Sequence, residues 1–361
     1  MKYSSEYRNK EKVKILVEKI KSVSSKPITI MEVCGGHTMS IQKYGIPSLL
    51  PENINLISGP GCPVCVTDRK YIDQSIAYAR LDDVILTTYG DLIRVPGSSS
   101  SLENERAKGH DIRIVYSVLD AIKIAEENPE KKIIFLGIGF ETTTPSSAVG
   151  IITAKQKGLD NFYVYSAHKI MPPAMSALID EDVKIDAYLG PGHVTAISGI
   201  SIFDFIPEKY GLGVVISGFE PVDILGAILL LVEQYEKGKP AVDIHYKRMV
   251  KPEGNIVAQQ TVNKVFELRD DWWRGLGVLP ESGLAIRKEF SKYDAEKVFE
   301  VEVEPTKKDG ACICGTVLKG VAKPFECKLF GKACTPMDPV GPCMVSSEGA
   351  CHAYYKYQSL N

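Results

Sequence analysis

The sequence predicts an α/β fold: two Rossmann-like domains with mostly parallel sheets, then a small loop-rich domain. Three features carry that expectation. Apolar runs of strand length fall at 28–33, 56–58, 84–88, 112–115, 133–137, 162–165, 186–189 and 214–217. Segments with apolar residues at helical spacing alternate with most of them, notably 118–127, 146–157 and 222–235, and strand–helix alternation marks a largely parallel sheet. Beyond residue 305 that rhythm stops, and the chain becomes short-segmented and rich in glycine, proline and cysteine. Domains of 1–126, 127–240 and 241–361 follow, with the first seam near 126–131, where Asn128-Pro129 interrupts a charged stretch.

In chain order, 11–20 places Val13, Leu16, Val17 and Ile20 on one face of a surface helix, which could pack on the third domain. The strand at 28–33 runs into Cys34-Gly35-Gly36-His37-Thr38. A thiol and an imidazole at the carboxyl end of a strand stand where open α/β folds place their chemistry, and Cys34 and His37 could share an ion. The strand at 56–58 leads into Gly59-Pro60-Gly61-Cys62-Pro63-Val64-Cys65. Two thiols two residues apart can close a small disulfide, and a following helix start favours thiolate. Thr67 is the expected N-cap of that helix, with the amphipathic run 69–80 behind it. Half of a zinc knuckle is the competing reading, but no second C-x-x-C or histidine pair at finger spacing lies nearby. The segment 89–102, with Arg94-Val95-Pro96-Gly97 and a run of serines, reads as a mobile loop or a plain connector.

Later strand ends carry polar or glycine-rich turns, in which Glu141, His168, His193 and Glu220 are candidates for one cleft. Glu141, His193 and Glu220 are candidate cofactor contacts there, and all four could act as acid–base groups or docking contacts; each alone is more often a turn or cap residue. Gly137-Ile138-Gly139 does not complete a dinucleotide fingerprint, because Thr142 stands at the third glycine position, and no Walker A sequence occurs. The run 252–268 reads as one helix and Trp272-Trp273-Arg274 as a packed turn.

Composition narrows the function. With 44% hydrophobic and 24% charged residues in 361, the chain can build real cores. A net charge of -2, without a basic stripe interleaved with aromatics, argues against nucleic acid. The charged first residues lack an apolar signal core and the longest apolar run, 224–232, is too short to span a bilayer, so a cytoplasmic protein without a membrane partner is expected. In a reducing compartment, nine cysteines point to metal binding or thiol chemistry. The late ones are Cys312, Cys314, Cys327, Cys334, Cys343 and Cys351, in a stretch with too few apolar residues for a core of its own, so a metal staple is expected. An iron–sulfur cluster is favoured over zinc because only cysteines recur, at long irregular spacings, with His352 the one histidine nearby.

Together, Cys34-Gly-Gly-His-Thr, Gly59-Pro-Gly-Cys-Pro-Val-Cys65, Gly139-Phe-Glu-Thr-Thr143, Gly190-Pro-Gly-His-Val194 and the tail Cys327-x6-Cys334-x16-Cys351 resemble the HypD family of hydrogenase maturation proteins over nearly the whole chain. The resemblance implies two α/β domains and a third carrying a 4Fe-4S cluster. It implies a part in building the Fe(CN)2CO group of nickel–iron hydrogenases, with two partners: the small chaperone HypC, which shares the iron through its own cysteine, and HypE, which delivers cyanide. Alone, the chain is expected to be monomeric. Cys34 would hold the iron under assembly, with His37 ligating it or orienting the thiolate, while Cys62 and Cys65 handle electrons. Cys327, Cys334 and Cys351 would be cluster ligands; Cys312 and Cys314 compete for the fourth place, and Cys343 is spare. A non-redox metal scaffold and a general thiol–disulfide oxidoreductase are the alternatives.

Overall fold

The computed structural model describes residues 5–181, 183–307 and 310–358. The expected alternation is present as β1 (Ile28–Glu32), β2 (Ile54–Ser58), β3 (Val84–Thr88), β4 (Ile112–Ile114), β5 (Lys132–Gly139), β6 (Phe162–His168), β7 (Ala187–Pro191), β8 (Gly213–Ser217) and β9 (Val242–Ile244). They form two wholly parallel sheets, ordered β2-β1-β7-β8-β9 and β4-β3-β5-β6. The central strands β1, β3, β7 and β8 are buried along their whole length, which is why they read as unbroken apolar runs instead of alternating ones.

The sheets are interleaved in the chain, which corrects the expected domain order. β1 and β2 start the first sheet, β3 to β6 build the second, and β7 to β9 return to the first. The boundary expected at 126/127 falls inside the second sheet, where β3 pairs with β5 across it. Asn128-Pro129 is instead a turn within one strand–helix–strand unit: Asn128 closes the helix Val118–Glu127 and β5 begins at Lys132. One face of the first sheet packs under the helices Lys10–Val23 and Pro221–Lys237, through Val17, Ile20, Leu225 and Ile228. The N-terminal helix therefore packs on the first sheet's own helix, because its apolar stripe matches that of Pro221–Lys237. The other faces of both sheets contribute to a shared core, with Met31 and Tyr188 from the first and Leu86, Ile134 and Leu136 from the second.

The run 252–268 is not one helix. The helix Ile256–Val265, capped by Asn255, passes directly into β10 (Phe266–Trp273), which pairs antiparallel with β11 (Gly277–Ile286). Gly275 and Gly277, at φ of 88° and 76°, make the connecting turn. Trp273 is fully buried, stacks on Phe140 with ring centroids 5.7 Å apart and donates its indole N–H to Ser282 Oγ at 3.0 Å, so the hairpin is anchored to the second sheet. Among the described residues, no helix is long and apolar enough to cross a membrane.

The serine-rich segment 89–102 is fastened, contrary to the expectation of a mobile loop. Asp73 accepts the Ser98 N–H and hydroxyl at 2.6 and 2.7 Å. Glu105, with its side chain 1% exposed, accepts two N–H groups of Arg80 at 2.9 and 3.0 Å, Lys108 Nζ at 2.8 Å and the Ser100 hydroxyl at 2.5 Å. The Arg80 hydrogen bonds hold the Glu105 carboxyl well below the usual carboxylate range. Such a carboxylate stabilises the fold above its unfolded-state pKa of about 4.3, and that contribution is lost as pH falls toward the folded value. Glu105→Gln should cost about 2 kcal/mol at neutral pH. In urea titrations, the gap between wild type and variant should shrink steadily below about pH 4.3; a gap that does not change with pH would refute the assignment.

Candidate functional site

In the first sheet the chain runs outward from β1 to β2 and later returns to β7 on the other side of β1, so the strand order reverses between β1 and β7. Open α/β sheets bind ligands in the crevice at the carboxyl ends of such strands. Cys34 follows β1 there and caps the helix Gly35–Lys43, while His193 follows β7 in the helix Gly192–Ser198. The two meet: Cys34 Sγ lies 3.7 Å from His193 Nδ1 and 3.9 Å from Nε2.

The imidazole in contact with the sulfur is thus that of His193. The His37 ring turns to the Gly218 carbonyl, 2.9 Å from Nε2, and stacks near Phe219. A carbonyl only accepts, so Nε2 carries the proton. His37 Nδ1 is then a buried lone pair with no hydrogen-bond partner among the described residues. Burial lowers His37 to about 3 and His193 to about 4, so both rings are neutral near pH 7. Beneath the thiol lies Glu32, 3% exposed, which accepts the Cys34 N–H at 3.0 Å and the Thr38 hydroxyl. Burial pushes this carboxyl up to about 8. The Cys34 thiol, 2% exposed, is pushed well above its ordinary value, first by burial and then by the negative charge of Glu348.

Cys62 and Cys65 stand on the neighbouring turn and are joined as a disulfide, with Cα atoms 5.2 Å apart. Cys62 caps the one-turn helix Pro63–Val66, its sulfur 3.2 Å from the Cys65 N–H. The next helix, Arg69–Ala79, is capped by Asp68 and not by Thr67, whose hydroxyl donates back to the Pro63 carbonyl at 2.8 Å. The two cysteine turns are laced together. Gly35 N–H donates to Gly61 O at 3.0 Å, Gly59 N–H donates to Glu32 O at 2.7 Å, and a Cβ on Gly61 would fall 2.2 Å from Cys34 N.

The late cysteines Cys312, Cys314, Cys327, Cys334, Cys343 and Cys351 all line one small pocket, with a cavity of about 10 Å³, together with Leu329, Phe330 and Met344. Cys343, expected to be spare, lines it with the others, within hydrogen-bonding reach of Cys314 and Cys351. Among the described residues, no three His, Cys, Asp or Glu side chains converge as ligands of a single ion. The pocket sits against the first two turns. The one-turn helix Pro63–Val66 packs on the short helices Cys314–Leu318 and Pro342–Val345, and Ala350–Gln358 packs on Gly35–Lys43. Glycines allow the closest approaches: a Cβ on Gly35 would lie 2.4 Å from Glu348 Cβ, and one on Gly349 would lie 2.1 Å from the Cys343 carbonyl oxygen.

Of the four polar candidates on later turns, His193 alone touches Cys34. Glu141 accepts the Met171 N–H at 2.8 Å at the start of Met171–Asp180 and is raised to about 7 by burial. His168 Nε2 lies 2.8 Å from Ser147 Oγ, and burial lowers this imidazole to about 4. Glu220 begins Pro221–Lys237 in a capping box and holds Arg8, with Nη2 at 2.7 Å, whose hydrogen bonds keep it below the usual range. Glu32, a lone acid ending an apolar strand, and Glu348, between Ser346 and Cys351, carry no pattern in the sequence that marks either as a site residue. Arg274 reads in the sequence only as part of a packed turn.

The profile of the family described as "Hydrogenase formation hypA family", HypD, matches residues 11–358. The hydrogenase maturation factor HypD2 of Bradyrhizobium diazoefficiens is 47% identical over 368 residues, spanning 99% of this chain and 97% of that protein. The hydrogenase maturation factors HypD of Cupriavidus necator and Rhizobium leguminosarum are each 45% identical over 368 residues, spanning 99% of this chain and 97% and 96% of theirs.

Glu348→Gln removes a negative charge beside a buried thiol, so it should lower the Cys34 pKa and raise the thiolate fraction at any pH below it. Iodoacetamide labelling of the Cys34 peptide, followed by mass spectrometry at pH 8, should run severalfold faster in the variant. A slower or equal rate would place Glu348 out of electrostatic reach of the sulfur.

Proposed function

The chain belongs to the HypD family of hydrogenase maturation factors, and we propose that it holds the iron of the Fe(CN)2CO group at Cys34 while the Cys62–Cys65 pair supplies electrons for the assembly. HypC, sharing the iron through its own cysteine, and HypE, delivering cyanide, are the proposed partners. The observation that carries this reading is the convergence of three kinds of sulfur site. A single thiol at the sheet's switch point, a disulfide on the adjoining turn and a pocket of six cysteines packed on that turn form one continuous wall.

Cargo iron would meet a thiol that burial keeps protonated, beside a neutral imidazole. Binding therefore displaces the Cys34 proton, with the cation's charge overcoming what burial and Glu348 impose. His193, against the sulfur, is placed to receive that proton or to donate a nitrogen to the iron, and soft thiolate suits iron carrying strong-field ligands. Glu32 holds the Cys34 backbone, fixing the direction of the sulfur. When reduced, Cys62 and Cys65 give up two electrons and two protons as their S–S bond forms.

The cysteine pocket fits a 4Fe-4S cluster. Its polar side chains are all thiols and its remaining walls are mostly apolar, which is the donor set and lining such a cluster takes. Cys327, Cys334 and Cys351 with Cys312 or Cys314 would hold it, and Cys343 is placed to compete for the fourth position. A cluster there would supply electrons one at a time.

Cys34→Ala should fold and retain brown colour but lose the infrared bands of iron-bound cyanide and carbon monoxide from protein purified with HypC; unchanged bands would overturn the iron assignment. Cys327→Ala, Cys334→Ala and Cys351→Ala should each lose acid-labile sulfide and solubility, and zinc without sulfide in the wild type would replace the cluster with a structural zinc site. Cys62→Ser should stop maturation with the colour intact. Normal maturation in that variant would leave a non-redox scaffold as the better account.

A further inference from the structure

Arg274 occupies the seam between the disulfide turn and the cysteine pocket. It is 4% exposed, at the tip of the β10–β11 hairpin. Its backbone N–H donates to Val66 O at 2.8 Å, its Nε to Cys65 O at 3.0 Å and its Nη2 to Thr67 O at 3.0 Å. One residue thus takes the three consecutive carbonyls that close the turn bearing Cys65. On its other side the hairpin presses on the pocket: a Cβ on Gly275 would come within 2.5 Å of the Gly315 carbonyl oxygen, one residue past Cys314.

We propose that Arg274 is the positioning residue that couples the Cys62–Cys65 pair to the cysteine pocket, clamping the disulfide turn by its carbonyls and placing a fixed positive charge between the two. A guanidinium, always charged and forked, can bridge two carbonyls of one turn as a lysine ammonium cannot. Reducing the pair breaks one S–S bond, takes two electrons and adds up to two protons, fewer where a thiolate persists. A neighbouring positive charge favours that reduced, partly anionic state over the neutral disulfide. The same hydrogen bonds keep the turn from moving independently of the pocket when the bond opens. This inference rests on the redox reading above.

The test uses the full chain, prepared anaerobically, with the pair equilibrated against reduced and oxidised dithiothreitol, alkylated and counted by mass spectrometry. Visible absorption is recorded in parallel. Arg274→Gln should make the pair about tenfold harder to reduce, a shift of about 30 mV for two electrons. Arg274→Lys, keeping the charge but not the fork, should recover most of that shift. In the wild type, the visible spectrum should respond to the pair's state, and in Arg274→Gln the response should fall by half or more. Gly315→Ala adds a methyl 3.0 Å from Gly275 Cα and leaves Arg274 untouched, so it covers the case in which Arg274→Gln does not fold. It too should weaken the spectral response. A wild-type pair that does not equilibrate with dithiothreitol would overturn the redox reading and this inference with it. A wild-type pair that cycles, with the same equilibrium and spectral response in the variants, would overturn the role of Arg274 alone.

Discussion

The parallel pairing of β1 with β2 is the constraint on which the site depends. Glu32 faces Ser58 at the last position of that register, so two strands of equal length release their chains at the same edge, and the turns bearing Cys34 and Cys62 start side by side. Parallel strands bring like ends together, and a sheet with helices on its faces buries those ends instead of exposing them. The turns then approach to backbone contact, which is possible because Gly61 has no side chain to place against the Cys34 main chain. β7 pairs on the other side of β1 and delivers His193 to the same edge. None of the three groups is brought there by a flexible loop. Their relative positions are set by strand register, which cannot slip by one residue without exchanging the side chains packed on the two buried faces of β1, Met31 on one and Ile28 and Ile30 on the other.

Electrostatically, the buried groups around the Cys34 sulfur favour their neutral forms, while the negative charge of Glu348 stands at the exposed edge. Burial raises the Cys34 thiol and the Glu32 carboxyl and lowers both nearby imidazoles, so each group is pushed toward its neutral form. A buried ion would be costly, and the site avoids one by holding protons on sulfur and oxygen and withholding them from nitrogen. A metal cation reverses the balance for all of them at once, since it favours thiolate, carboxylate and a free imidazole lone pair. Were Cys34 to hold the proposed iron, occupancy and proton release would be linked. The polar candidates on later turns answer to different demands: Glu141 and Glu220 satisfy helix N-termini, and His168 is held by a serine hydroxyl inside the second sheet.

Much of this was legible in the sequence. The parallel α/β class and the strands through β8 follow from apolar runs separated by helical patterns, since buried parallel strands tolerate few polar residues. The cysteine turns were visible because glycine and proline mark strand ends. The interleaving of the sheets was not visible: local pattern says where strands are, while the choice of β7 as the neighbour of β1 is made by packing over 150 intervening residues. Asn128-Pro129 therefore looked like a seam when it is one turn among several. The β10–β11 hairpin was hidden because burial along β10 does not alternate: Leu268 is exposed while Arg269 is half-buried, so no period of two sets the strand apart from the helix before it. His37 is the natural partner of Cys34 by spacing, but its ring is held by the Gly218 carbonyl, which accepts from Nε2 at 2.9 Å.

The interleaved chain also explains why the sulfur sites depend on one another. Cys34 and Cys62 lie before the second sheet in sequence, His193 after it, Arg274 on the hairpin anchored to it, and the pocket cysteines at the end of the chain. The walls of the site are therefore supplied by segments far apart in the chain. The pocket segment has little apolar core of its own and is held by Ser346 on Asp91, by Arg94 on the Pro336 carbonyl and by the helix Ala350–Gln358 on Gly35–Lys43. Loosening that segment removes Glu348 from Cys34 and Gly315 from Gly275 together, because both contacts belong to the same stretch of chain. Cross-links among the pocket cysteines would therefore do more than fold their own neighbourhood. By fixing the stretch from Cys312 to Cys351, they would fix the outer wall of the Cys34 site and the surface against which the disulfide turn is clamped.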